Sequence, residues 1–173
     1  LYGIEHGEEP MPLMEPKTAA NLTSQPNATE QAIPWPDNTI YIYVDKESFA
    51  SSISDDIDKQ VSNTIAWFNE GKGATPSNLT VERVERESEA NIVIRSGNTP
   101  NDVRSTTNGI YGQDIDSDGA LEYYTNMTVI IDPNVDSRDF GWHVGYWLDS
   151  VVNPGEASEP FEDPKGGDRR DWW

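Results

Sequence analysis

Three aspartates at alternate positions carry the clearest chemical signal in the chain. The run Asp114-Ile-Asp116-Ser-Asp118-Gly119-Ala-Leu121-Glu122 has carboxylates at loop positions 1, 3 and 5, glycine at 6 and an apolar residue at 8. That is the pattern of a calcium loop, in which alternate carboxylates converge on one hard cation and glycine permits the sharp turn. The bidentate glutamate of position 12 is missing, and Thr125 stands there. Glu122 is the carboxylate placed to supply the missing oxygen. Calcium is thus a candidate cofactor, with Asp114, Asp116, Asp118 and Glu122 as its ligands. The competing reading is a polar Asp-Gly turn between two strands.

The second signal is FGWHVGYWLDSVV, residues 140–152. His143 and Asp139 stand four apart, on one side of a helix. Two ligands fall short of the four that a zinc site uses, and His6 is the only other histidine, so zinc is not expected. The same stretch reads as a core helix. Phe140, Val144, Trp147, Leu148 and Val151 make one apolar face, and Gly141 and Gly145 let another element approach closely.

Other chemistry is absent from the pattern. There is no Gly-rich phosphate loop and no nucleophile elbow. With no cysteine, disulfides and thiolate chemistry are excluded. Asp55-Asp56-Ile57-Asp58 reads as a solvated helix face near a favourable N-terminus. Asn-x-Thr occurs four times, at Asn21, Asn27, Asn78 and Asn126, each a candidate glycosylation acceptor. Four such sites favour an extracellular protein or a cell or virion surface.

Charge bears on partners and setting. The 173 residues carry 31 acidic and 12 basic side chains, a formal charge of −19. Nucleic acid is not an expected partner, because phosphate contacts need Lys and Arg. The acids are spread along the chain, not gathered in a tail. This is the style of a halophilic protein, in which dense surface carboxylates hold water and cations and salt screens their repulsion. No apolar run approaches the roughly 18 residues of a membrane span. The opening LYGIEHGEEP lacks the basic and apolar regions of a signal peptide, as a processed secreted chain would.

These sites need elements to position them. Residues 1–33 are proline-bearing and aperiodic, and read as an extended N-terminal arm. Thr39–Val44 is a β-branched and aromatic strand, apolar enough on both faces to be central. A helix follows over 51–70, with apolar residues from Ile53 to Phe68 at three- and four-residue spacing. Ser52 and Asp55 resemble a capping box, and Gly71 suits the stop. Leu79–Val84 predicts a strand with a bulge, and Ala90–Arg95 another strand. Residues 96–109 read as loop, Ile110 and Tyr111 as the start of a short strand, and Met127–Asp132 as a strand. A helix over 137–152 comes next. From Pro154, residues 154–173 form a tail whose Trp172-Trp173 end is a docking candidate. The expected fold is α+β, with one mixed sheet of about five strands packed on two helices. The domain spans 34–153, between two extended arms.

The runs PWPDNTIYIYVD, AWFNEG, LTVERVERESEANIVIR and MTVIID, in that order, resemble matrixin-like metallopeptidases of the zincin fold. Leu79-Thr80-Val81 with Val84, and Ala90-Asn91-Ile92, match family strands, and the resemblance covers about residues 34–152. The family motif is HExxHxxGxxH, whose histidines hold zinc while the glutamate activates its water. In the register that sets Gly145 before the second histidine position, Trp142 replaces the first histidine and His143 the glutamate. Tyr146 replaces the second histidine, Asp149 the glycine and Val152 the third histidine. The resemblance therefore implies a degenerate zinc site. No methionine follows Met127, so the family's Met-containing turn and the lower wall of its cleft are expected to be missing or improvised.

Together these readings predict a surface-exposed, catalytically inactive zincin-like domain from a halophile. It acts in binding or structural assembly, with protein partners or self-assembly through the arms. Two alternatives stand beside it. One is an active metallopeptidase with a noncanonical site around His143, Asp139 and Asp149. The other is a calcium-stabilised extracellular module unrelated to peptidases.

Overall fold

Strict alternation makes Thr39–Val44 a strand with one core face: Ile40, Ile42 and Val44 are buried, and the residues between them are half-buried. In the computed structural model, which describes residues 2–5, 38–72, 78–100, 103–113 and 123–152, this strand lies inside a mixed sheet. The elements in chain order are β1 (Tyr2–Glu5), β2 (Thr39–Val44), α1 (Ser54–Asn69), β3 (Thr80–Arg83), β4 (Ile92–Ser96), β5 (Val103–Gln113), β6 (Tyr123–Ile131) and α2 (Phe140–Val152). The sheet order is β1-β5-β6-β4-β2-β3. Strands β3, β2, β4 and β6 are parallel, and β5 runs antiparallel to β6. The five strands from β2 to β6 and the two helices make the α+β architecture that the pattern predicts. Tyr2–Glu5 adds a sixth strand, antiparallel to β5, so part of the stretch read as an arm is a sheet edge.

Both helices cover one face of the sheet. The core joins Ile40, Ile42, Val81, Ile92, Ile94, Met127, Val129 and Ile131 from the strands to Ile57, Val61 and Phe68 of α1 and the apolar side chains of α2. Phe49, in the turn after β2, meets Phe140 edge-on at 5.1 Å. Each large side chain buried in this way contributes about 1.5–3 kcal/mol.

Helix α1 forms where the apolar spacing predicts, and its end is explicit. Gly71 has φ +70°, its N–H donates to the Phe68 carbonyl, and the Lys72 N–H reaches back to Trp67. This is a Schellman stop, and glycine is the residue that takes its left-handed φ without cost. The start differs from expectation. Ser51–Ile53 is a 3-10 turn, and no side chain caps the helix, so Ser52 does not form a capping box. Asp58 instead binds outward, pairing with Lys46 at 2.8 Å and with Arg83 at 2.7 Å. Partial burial pushes its carboxyl up, but hydrogen bonding and charge from Lys46 and Arg83 outweigh that and hold it below the usual range.

Among the described strands, β3 is an edge. It pairs with β2 in unbroken register, so the expected bulge is absent; the strand ends at Arg83, and Val84 N–H bonds the Ile42 carbonyl. The Asn69 side chain accepts from Val81 N–H at 2.7 Å and donates to its carbonyl at 2.9 Å, replacing a missing strand partner. Asn91 works similarly at the head of β4: its side chain accepts from Tyr41 N–H, and its backbone carbonyl accepts from Met127 N–H.

The largest departure is β5. Most of what reads as loop over 96–109 is strand from Val103 onward. Ser105, Thr106 and Thr107 are all buried there, and Thr107 Oγ1 donates to the Thr128 carbonyl at 2.7 Å. Hydroxyl side chains look like loop residues in a sequence, but β-branched threonine suits a strand once its hydroxyl is bonded. Two register shifts interrupt β5–β6, next to Gly109 and Gly112, as glycine in a strand often signals. Strand β6 begins at Tyr123, four positions before the predicted Met127.

The Gly71 stop gives a direct test. No atom lies within 4 Å of a β-carbon added at Gly71, so Gly71→Ala meets only the backbone penalty. It should lower stability by about 1–2 kcal/mol. Thermal unfolding at fixed salt measures this, and an unchanged midpoint would refute the assigned cap.

Candidate functional site

Helix α2 carries Trp142, His143, Tyr146 and Val152, the four residues that the resemblance sets at zinc-motif positions. It is preceded by a 3-10 turn, Ser137–Asp139, so Asp139 is not on the same regular helix as His143. Asp136 organises this entry. Its carboxylate accepts from Arg138 N–H at 3.0 Å and from the Arg138 guanidinium at 3.0 and 2.7 Å. Those side-chain hydrogen bonds, then the backbone one, pull the Asp136 carboxyl down to about 2.

From Phe140 to Val152 all residues except Ser150 are buried. The sequence suggests one apolar face; the structure buries the helix all round, as a helix with few polar residues requires. Each polar group on it then needs a protein partner. Helix α1 supplies two. Gln60, with no exposed surface, accepts from Gly141 N–H at 2.7 Å and donates to the Ser137 carbonyl. Thr64, one turn on and equally buried, donates to the Gly141 carbonyl at 3.1 Å. Two side chains four apart on α1 thus hold both backbone groups of Gly141, including an N–H that the first turn of a helix leaves unbonded.

The sheet supplies the third partner. Ser105 Oγ of β5 accepts from the Trp147 indole at 2.9 Å and lies 2.8 Å from His143 Nδ1. An indole N–H can only donate. The hydroxyl keeps its proton and a second lone pair, so it can meet Nδ1 in either neutral tautomer of the ring. A serine beside a histidine can serve as a nucleophile and base. Here Ser105 has no exposed surface and His143 is 3% exposed, so the pair is a tether between β5 and α2.

Trp142, Tyr146 and Val152 are packed into the core. Trp142 is fully buried, and Tyr146 stacks on it at 5.6 Å with 21° between the rings. The His143 ring meets Trp142 edge-on at 5.1 Å, and Trp147 meets Tyr146 at 5.3 Å. Val152 closes the helix, buried. Burial, with the charge of Asp149 and against a hydrogen bond with Ser150, pushes the Tyr146 hydroxyl up to about 12. Tyr146 is therefore a neutral phenol here, not a phenolate ligand. Asp149 is itself buried. Among the described residues, no group of three or more His, Asp or Glu side chains is placed to hold a metal.

The other expected sites divide. Asp114, Asp116, Asp118 and Glu122 lie outside the described residues, between the register partners Gln113 and Tyr123. Asn21 and Asn27 also lie outside them, whereas Asn78 and Asn126 are both exposed. Reading by sequence missed Ser105, Gln60 and Thr64. The signal for the α1 pair was present: two polar residues on the apolar side of an amphipathic helix, four apart. Ser105 offered none, since its segment reads as loop.

Two outcomes follow. Ser105→Ala removes one partner from both His143 and Trp147 and should cost about 1–3 kcal/mol, read as a lower urea midpoint. In acid, Asp136 contributes stability fully above 3.8, its ordinary value, and loses it as pH falls through about 2. Asp136→Asn should therefore lower stability at neutral pH and flatten the acid limb across that window; an unchanged limb would sink the assignment.

No protein-family model matches the sequence, and no curated protein matches it.

Proposed function

We infer that this chain is a catalytically inactive, matrixin-like domain of the zincin class. It acts by binding or structural assembly at a cell or virion surface, in a high-salt setting. The observation that carries the reading is the packing of α2. Its positions for the first and second zinc histidines hold the stacked pair Trp142 and Tyr146. The position of the catalytic glutamate holds His143, tied to Ser105. A zinc peptidase needs three ligands converging on an open coordination position and a base beside it. Stacked aromatic rings in a dry core supply neither. The order of elements, with α1 after the first core strand and α2 after the last, supports the matrixin-like part.

Partners are then proteins, met through the N-terminal segment, the C-terminal tail or the faces of the sheet. Nucleic acid is disfavoured by the net charge of −19. No helix among the described residues is long and apolar enough to cross a membrane. Calcium, at the Asp114–Glu122 loop, fits the role of a stabilising ion.

The test is metal content per chain after dialysis against a weak chelator. Zinc well below stoichiometric, about 0.1 per chain or less, is expected, with no cleavage of a generic peptide substrate. One zinc per chain, lost on His143→Ala, would overturn the inactive reading. One calcium, lost on Asp116→Asn, would assign the aspartate loop.

A further inference from the structure

We propose that Asn78 is an N-glycosylation site whose glycan stands beside the open edge of the sheet. The idea rests on the reading of the chain as exported. Its support is the geometry around Asn78-Leu79-Thr80.

Asn78 stands in a turn and Thr80 opens strand β3. Leu79 is buried at 5% exposure, while Asn78 and Thr80 are exposed on either side of it. The acceptor amide and the hydroxyl that completes the sequon therefore face solvent together, and the residue between them anchors the segment in the core. The backbone is open as well. Among the described strands, β3 is the last of the sheet and pairs only with β2. Thr80 N–H is bonded to the Asn38 carbonyl, and the outward groups of Val81 are taken by Asn69. Asn78 itself is exposed just ahead of this strand.

Asn126 makes the contrast. Its sequon has the same alternation, with Met127 buried, but it lies within β6, between β5 and β4. Met127 N–H bonds the Asn91 carbonyl, the Thr128 carbonyl accepts from Thr107, and Asn126 Oδ1 accepts from the Thr125 hydroxyl at 2.9 Å. A transferase that must bind the sequon as a free extended segment finds this one already in a ladder.

The chemistry needs one co-reactant, an oligosaccharide on a polyprenyl phosphate carrier. Asn78 Nδ2 forms a bond to the anomeric carbon of the sugar. The bond from that carbon to the phosphate oxygen breaks, its electron pair leaves with the lipid phosphate, and the amide gives up one proton. Nothing is oxidised or reduced. The product places a hydrated, bulky group at one end of an edge strand whose middle is already closed by Asn69. Open edges invite pairing with other chains, and covering them suppresses it.

The experiment exports the full chain through a glycosylating secretory pathway and maps its tryptic peptides by mass. Cleavage after Lys72 and Arg83 isolates Asn78 from the other three sequons. The expected result is glycan on the Asn78 peptide, lost in Asn78→Gln and in Thr80→Ala, and retained in Thr80→Ser. An unmodified Asn78 peptide beside glycan on Asn21, Asn27 or Asn126 would overturn the proposal. So would an unmodified chain from cells that glycosylate a control protein exported by the same route. Neither result bears on the zinc content of the same preparation, so loss of this proposal and loss of the inactive-domain reading are separable.

Discussion

A helix buried on every side must have each of its polar groups met by protein, and this demand shapes the region around α2. Leaving one buried donor or acceptor unmet costs about 1–3 kcal/mol, comparable to what a buried aromatic ring contributes. Gln60 and Thr64 hold Gly141 from α1, and Ser105 holds His143 and Trp147 from β5. These three side chains come from a helix and a strand far apart in the chain. They fix α2 against both of its neighbours at once, and so fix where Trp142 and Tyr146 lie.

The same constraint links fold to chemistry. A catalytic helix keeps polar side chains on an open face, which weakens its packing. Here that face is given to aromatic rings, and His143 is turned to a serine in the sheet. The high value of the Tyr146 hydroxyl follows from that choice: burial favours the neutral form. The acidic groups lie mainly elsewhere. Asp55, Glu70, Glu82, Glu85, Glu87 and Glu89 are exposed, and the ion pairs of Arg86 and Arg95 with Glu89 and Glu87 sit at the surface. Such exposed pairs contribute little individually, about 0–1 kcal/mol.

Much of this was legible in the sequence where a local rule governs. The alternation of Thr39–Val44, the spacing from Ile53 to Phe68 and the glycine at 71 each have a single physical cause, and each element forms as read. The failures share a different origin. Ser52 does not cap α1 because a 3-10 turn takes the entry. The polar run at 103–107 becomes a buried strand because distant groups satisfy its hydroxyls: the Thr128 carbonyl for Thr107, and the His143 ring and Trp147 indole for Ser105. No window around Ser105 contains its partners. The candidate site was half readable for the same reason: the aromatic content of α2 is local, whereas the Ser105 tether is not.

The parallel core has a consequence for how the chain is made. Strands β2, β4 and β6 are sequence-distant neighbours, and α2, the last of the described elements to leave a ribosome, carries Phe140, Trp142 and Trp147, three of the largest buried side chains. Until that helix arrives, Gln60, Thr64 and Ser105 have no partners, and one face of the sheet stands uncovered during synthesis. Non-local strand pairing is slow, and exposed sheet surface is prone to association.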